Sequence, residues 1–312
     1  MTPRRPKGFS RRKTLLASLE KLEPRLLLAY FPLEHTFTLN SDPTAPHTIF
    51  LDFDGHTTVG TMWNNDALPE IVTPAYDTDG SPGFSDREKE EIQEIFLRVV
   101  EDFAPFHVTV TTKAPHIDEI LRTGPEDVRW GVRVAIGGEN SDWFDGTGSG
   151  VAHLFTFAGN VVPDGTPVYE PIYDVPCFVF EDNCDTIQEV AEIVSHEIGH
   201  TLGLKHDGRR IAGQEDEEYY AGHANWAPIM GYSGEKSITQ WSRGEYTDAN
   251  QTQDDLVVMT FQTGLSFRTD DRPAEVSAGT APGATVCSKS LRESSLGPTT
   301  PTGSRSAGRG TC

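Results

Sequence analysis

The chain has 312 residues, 36% of them hydrophobic, and a formal net charge of −21. That length can bury a substantial core. The acidic balance argues against a nucleic-acid partner, because a phosphate backbone would be repelled, and no window reaches the roughly eighteen uninterrupted apolar residues of a membrane span.

Residues 1–13 carry Arg4, Arg5, Lys7, Arg11, Arg12 and Lys13 and no acid. The apolar stretch "TLLASLEKLEPRLLLAYF" follows, broken by Glu20, Lys21, Glu23 and Arg25. A basic start before an apolar segment outlines a secretory leader, and "LEPRLLLA" resembles a leader segment of some bacterial secreted and surface proteins. Residues 1–45 therefore read as leader and linker, and the expected location is secreted or cell surface. "HTIFLDFDG" predicts a strand ending in a turn. Its paired aspartates would suit a phosphatase of the haloacid dehalogenase type, but a loop-like run follows instead of a crossover helix and second strand. Asp52 and Asp54 read as turn and surface groups, with Asp54-Gly55 the turn dipeptide. From Thr57 to Gly83 the composition predicts one long loop.

"SDREKEEIQEIFLRVVEDFA" predicts an amphipathic helix, with Ser85 and Glu88 forming a capping box. Its buried stripe is Ile92, Ile95, Phe96, Val99, Val100 and Phe103, and Pro105 ends it. "FHVTVTT", "WGVRVAIGG", "GSGVAHLFTF" and "PCFVF" read as four further strands. A second helix starts at Thr186, again with a capping box, to Glu189. Its apolar positions are Ile187, Val190, Ala191, Val194, Ile198 and Leu202. A polar loop, "WAPIMGYS" and a last helix around "DDLVVMTFQTGL" complete the body. Residues 46–268 form the expected domain, and 269–312 read as a disordered low-complexity tail.

The chemistry is concentrated in "HEIGHTLGLKHD", His196 to Asp207. His196 and His200 are one turn apart on one helix face, so both imidazoles can reach a single zinc ion. Glu197 is placed to act on a zinc-activated water rather than to bind the metal. Gly203 can take a left-handed conformation that stops the helix, and the turn returns His206 as third ligand. Three histidines leave a coordination position open, the mark of a catalytic zinc.

This HExxHxxGxxH pattern, followed by "PIMGY" with Met230, resembles that of the metzincin metallopeptidases. A wider likeness, carried by "FSDREKEEIQEIFLRVVEDFAPFHVTVTT", "GVAHLFTF" and the segments "WAPIMGYS", "QWSRGEY" and "DDL", is to secreted bacterial metzincins and covers roughly residues 47–270. It implies an α/β (α+β) fold, in which a mixed twisted sheet and two long helices lie above a zinc cleft, with a small C-terminal helical subdomain. It also implies an edge strand, here "GVAHLFTF", that pairs with extended substrate. Asp207 resembles a structural acid of the adamalysin branch. Tyr232 stands where other branches place a tyrosine that ligates zinc or stabilises the oxyanion, against a plain packing role. The implied function is zinc-dependent hydrolysis of peptide bonds in protein or peptide substrates, with Glu197 as general base. A surface binding or adhesion protein with little turnover, or a zinc hydrolase of a non-protein amide, is the alternative. The sequence assigns no oligomeric state.

Four weaker signals remain. "YDTDGSPGFSD" matches the middle of a calcium loop at Asp77, Asp79 and Gly80, but Ala75 and Asp86 occupy its first and twelfth positions. A turn is the first reading and Ca2+ the second. "EDEE", Glu215 to Glu218, reads as a solvated loop that would favour basic substrate residues if it bordered the cleft. Cys177 and Cys184 are either a small-loop disulfide or free buried thiols. His47, His107, His153 and His223 lack metal spacing and read as structural.

Overall fold

The computed structural model describes residues 31–124, 126–157, 160–161, 167–168 and 174–269. The expected leader over residues 1–30 and the expected tail from residue 270 lie outside them. The chain divides into two units, Met1–Thr269 and Asp270–Cys312, and every described helix and strand belongs to the first.

In chain order, a 3-10 helix at Leu33–Thr38 precedes β1 (His47–Asp52), β2 (His56–Val59), β3 (Glu70–Thr73) and α1 (Asp86–Asp102). Then come β4 (Val108–Thr111), β5 (Trp130–Ile136), β6 (Gly150–Val151), β7 (Asn160–Val161), β8 (Pro167–Val168) and β9 (Cys177–Val179). The last elements are α2 (Ile187–Thr201), β10 (Trp226–Pro228), β11 (Ile238–Gln240) and α3 (Asp255–Thr263).

The central sheet has the order β4-β1-β5-β9-β6. Its first four strands are parallel, and β6 joins β9 antiparallel at the edge. The fold is therefore mixed α/β with a mixed sheet, consistent with a metzincin-like domain. Alternation along the strands decides which residues face the helices. Ile49 and Leu51 of β1, and Val132, Val134 and Ile136 of β5, meet Ile92, Ile95 and Val99 of α1 and Val194 and Ile198 of α2. Each such side chain, fully buried, contributes ~1.5–3 kcal/mol.

Phe178, Phe180 and Ala135 point to the other face, where they are covered by Ile71, Trp63 and Trp143. Both faces of β1 are covered as well, and all six of its residues are buried. The covering layer includes an antiparallel hairpin, β2–β3, inside the stretch expected to be loop. Its strands are short, and only Thr58, Ile71 and Thr73 in them are buried, too few to stand out in the sequence.

Asp52 departs from the surface role expected of it. It is 2% exposed, and its carboxylate pairs with the Arg133 guanidinium, which also bonds Asp174. Asp54 is exposed and Gly55 takes a φ of +91°, as a turn dipeptide should. The segment read as linker is packed from Leu33 onward: Thr36, Leu39 and Ala45 are buried, and Gln93 of α1 donates to the Thr36 hydroxyl at 2.8 Å.

The α1 capping box forms as expected, with Ser85 and Glu88 bonding each other's backbone. At α2, Thr186 accepts from the Glu189 N–H, while the Glu189 carboxylate takes the N–H of Asp185 instead of closing the box. The helices are tied together where Ser195 donates to Asp102 at 2.6 Å. Cys177 and Cys184 are free thiols, their Sγ atoms directed at the carbonyls of Arg133 and Phe180.

Candidate metal centre

Helix α2 carries His196, Glu197 and His200, whose side chains share the face turned to a cleft. It ends at Thr201, and two residues on Gly203 takes a φ of +95°. A Cβ there would lie 2.1 Å from the Phe155 ring, so only glycine permits the reversal. The reversal returns His206, and the three histidines offer ligand atoms within 4.8 Å of one another.

What each ring does with its other nitrogen fixes its chemistry. The Nδ1 atoms of His196 and His200 face the carbonyls of Ile229 and Leu204 at 2.9 and 2.8 Å. Carbonyls only accept, so each Nδ1 carries the hydrogen and each Nε2 is left with a lone pair. His206 Nδ1 donates to Glu218 Oε1 at 2.9 Å, which turns its Nε2 toward the other two rings. Burial pushes His200 down to about 4 and His196 well below its ordinary value, which keeps both in the neutral, ligating form. His200 Nε2 and His206 Nε2 stand 2.9 Å apart. That spacing is short enough for one cation to reach both nitrogens. The residues therefore fit a metal ion, and the oxygen partners on Nδ1 are the outer support such ligands need.

Glu197 lies beside the triad, 5% exposed. Burial pushes its carboxyl up to about 8, and its Oε2 has no hydrogen-bond partner. A Cβ at Gly150 would lie 2.7 Å from both Cγ and Oε1 of Glu197, so β6 closes directly onto this carboxylate.

Met230 is fully buried. A Cβ at Gly199 would meet its Sδ at 2.5 Å, so the methionine forms the floor expected of it, and glycine between the histidines permits that approach. Backbone bonds stitch this turn to the residue after His206: Asp207 N–H donates to Met230 O, and Tyr220 N–H to Asp207 O, both at 2.7 Å. Asp207 is buried, and burial pushes its carboxyl up to about 7.

The "EDEE" run is a largely solvated loop, as expected, and two of its acids are also tied to basic partners. Glu217 pairs with Arg209 at 2.9 Å, and their backbones exchange two bonds of 2.8 Å. Tyr220 stacks on Tyr246, ring centres 4.3 Å apart. Held at both ends, the loop places Glu218 on His206 and the Tyr219 ring 4.3 Å from that imidazole. Neither residue stands out in the sequence. Glu218 looks like one acid among four, and its partner is twelve positions away. Two aromatics in a polar loop are the available signal for Tyr219.

Tyr232 also lines the cleft, 41% exposed. Burial and the charges of Glu189, Glu235 and Asp185 raise its phenol above the ordinary value. The expected edge strand pairs only at Gly150–Val151. Beyond it Phe155 turns to a φ of +65°, and its N–H bonds the His200 carbonyl. His153 packs on Trp63 at 3.9 Å, away from the histidine cluster.

Asp77, Asp79 and Glu88 also bring ligand atoms within 4.8 Å. Asp77 Oδ1 accepts from the N–H groups of Asp79 and Gly80, and Glu88 from Thr78 and Ser85. These are turn and cap bonds, in line with the first reading of this loop.

Residues 179–257 match the family model described as Metallo-peptidase family M12B Reprolysin-like. The matched stretch contains the triad, Glu197, Met230 and both cleft tyrosines, and none of the chain before the end of β9. A search of curated proteins returns no match. The family match and the histidine triad together support a metallopeptidase.

Proposed function

We propose that the protein is a zinc-dependent endopeptidase. One observation carries the reading: three histidine ring nitrogens converge beside a buried, unpartnered Glu197 oxygen, in a cleft flanked by a sheet edge. His196, His200 and His206 would hold the metal, and zinc there supplies Lewis acidity toward an attacking water and a peptide carbonyl.

The protein's own groups do the rest. The outer edge of β6 offers backbone bonds to an extended peptide and sets the scissile carbonyl beside the histidines without demanding one sequence. Glu197 takes the proton of the attacking water and returns it to the departing amine. Two tyrosines are candidates for a hydrogen bond to the developing oxyanion. Tyr232 stands among acids on the cleft wall, whereas Tyr219 lies against His206, so we assign that donor to Tyr219.

The test is cleavage of an unfolded protein by the purified zinc-loaded chain, with and without a chelator, beside Glu197→Ala, with metal content measured on every sample. Cleavage should vanish with the chelator and fall by roughly 10²–10⁴ in Glu197→Ala at unchanged zinc. Full turnover in that variant would remove Glu197 from the mechanism. One bound zinc with no cleavage by the wild type would point to a binding protein or to a non-protein amide.

A further inference from the structure

The cleft has an unequal distribution of charge. Glu189, Ile193 and Glu197 follow one another at four-residue intervals on α2, so they line one wall, and all three border the cleft. From Glu197 to Glu189 is about 12 Å along the helix axis. Between them the walls are apolar, with Ile193 facing β6 so closely that a Cβ at Gly150 would meet its Cγ2 at 2.7 Å, and with Val151 beside it.

At the far end the chain gathers acids. Glu189, Glu235 and Asp185 all act on Tyr232, with burial the larger influence on its phenol. Among the described residues, no ion pair involves Glu189, Glu235 or Asp185. Lys205, the one lysine among the described residues of the cleft wall, adjoins His206 instead. Glu189 is also held in place: its Oε2 accepts the Asp185 N–H at 2.9 Å, and Gly234 lies against its stem, where a Cβ would be 3.2 Å from Cγ.

We propose that this end of the cleft selects a lysine or arginine next to the scissile bond, with Glu189 receiving the charged end of the side chain. The inference rests on the peptidase reading and adds a substrate class to it. Reach favours a long side chain, because about 12 Å of helix separates Glu189 from Glu197 and the substrate side chain and that of Glu189 must close the gap between them. The chemistry fits as well, since the aliphatic stem of Lys or Arg would lie along Ile193 and Val151 while its head reaches the carboxylate. A formal charge of −21 attracts basic peptides from a distance. The sequence points to "EDEE" for a preference of this kind, but Glu218 of that run stands on the His206 side of the cleft and bonds that ring. Glu189 stands at the other end and gives only its Oε2 to the Asp185 N–H.

The experiment uses matched peptides carrying Lys, Leu or Glu on either side of the cleaved bond, tested on the zinc-loaded chain and on Glu189→Gln and Glu189→Lys. Glutamine keeps the acceptor that caps Asp185, so the helix start is preserved. The wild type should favour Lys over Leu by roughly ten- to a hundredfold in kcat/KM, on one side of the bond only. Glu189→Gln should bring that ratio near unity, and Glu189→Lys should turn it toward Glu.

Equilibrium binding of the same peptides to zinc-loaded Glu197→Ala, with and without Glu189→Gln, separates this proposal from the peptidase reading. A Lys preference in binding that Glu189→Gln abolishes would keep the pocket even if the wild type cleaves nothing. Cleavage with no charge preference, or a preference that survives Glu189→Gln, would overturn it.

Discussion

Two acidic loops read alike in the sequence and do different things in the fold. "YDTDGS" holds its carboxylates on its own backbone: Asp77 accepts from Asp79 and Gly80, and Asp79 from Ser81. "EDEEYY" sends its groups outward, Glu217 to Arg209 and Glu218 to His206. Both loops lie near a cluster of three ligand-type side chains within 4.8 Å. In one, the oxygens are used by nearby N–H donors. In the other, the acid acts at a distance, fixing a histidine so that a different atom is free to ligate. An acid's role is set by the donors within its reach, and a one-dimensional pattern shows only the donors close in sequence.

The sharpest way to break the comparison is at the tip of the second loop. Tyr219→Phe keeps the ring that packs on His206 and removes only the hydroxyl. Its kcat should fall about a hundredfold if that hydroxyl meets the oxyanion, with zinc content and KM little changed, while Tyr232→Phe should cost far less. The reverse ranking would return the role to Tyr232. Glu218→Gln is the next step down. Glutamine can still accept from His206 Nδ1, but without the charge that strengthens the ring's donation, so zinc affinity should drop about tenfold. A competition titration against a chelator of known affinity reads this directly, and an unchanged affinity would make the Glu218–His206 bond incidental.

Met230 is legible only through the resemblance of its segment to a methionine turn, whereas the histidines, Glu197 and Gly203 are legible in the sequence because their spacing is local, one helix and one turn. The cap of α1 is legible for the same reason. The supports are not. Ile229 and Leu204 act through carbonyls, which carry no sequence signature. Gly150 and Gly199 matter for what their missing Cβ lets approach, and nothing beside them in the sequence announces that. Asp52 reads as a surface group because its partner, Arg133, comes from the neighbouring parallel strand. The hairpin of β2 and β3 reads as loop because a single large side chain, Ile71, is all it buries in its strands.

The smallest expected effect lies in the first loop, and it separates a turn from a cation site. Asp77→Asn keeps an oxygen that can accept from the N–H groups of residues 79 and 80 and still favours the turn, but it removes a negative charge that a calcium ion would need. Asp77→Ala removes the acceptor as well. If the loop is held by its own hydrogen bonds, the asparagine variant should unfold within ~0.5 kcal/mol of the wild type. The alanine variant should lose ~0.5–1.5 kcal/mol. Added calcium should leave all three denaturation midpoints where they were. A midpoint that rises with calcium in the wild type and not in Asp77→Asn would show that the carboxylates serve an ion, and the two loops would then differ in which metal they attend rather than in whether they attend one.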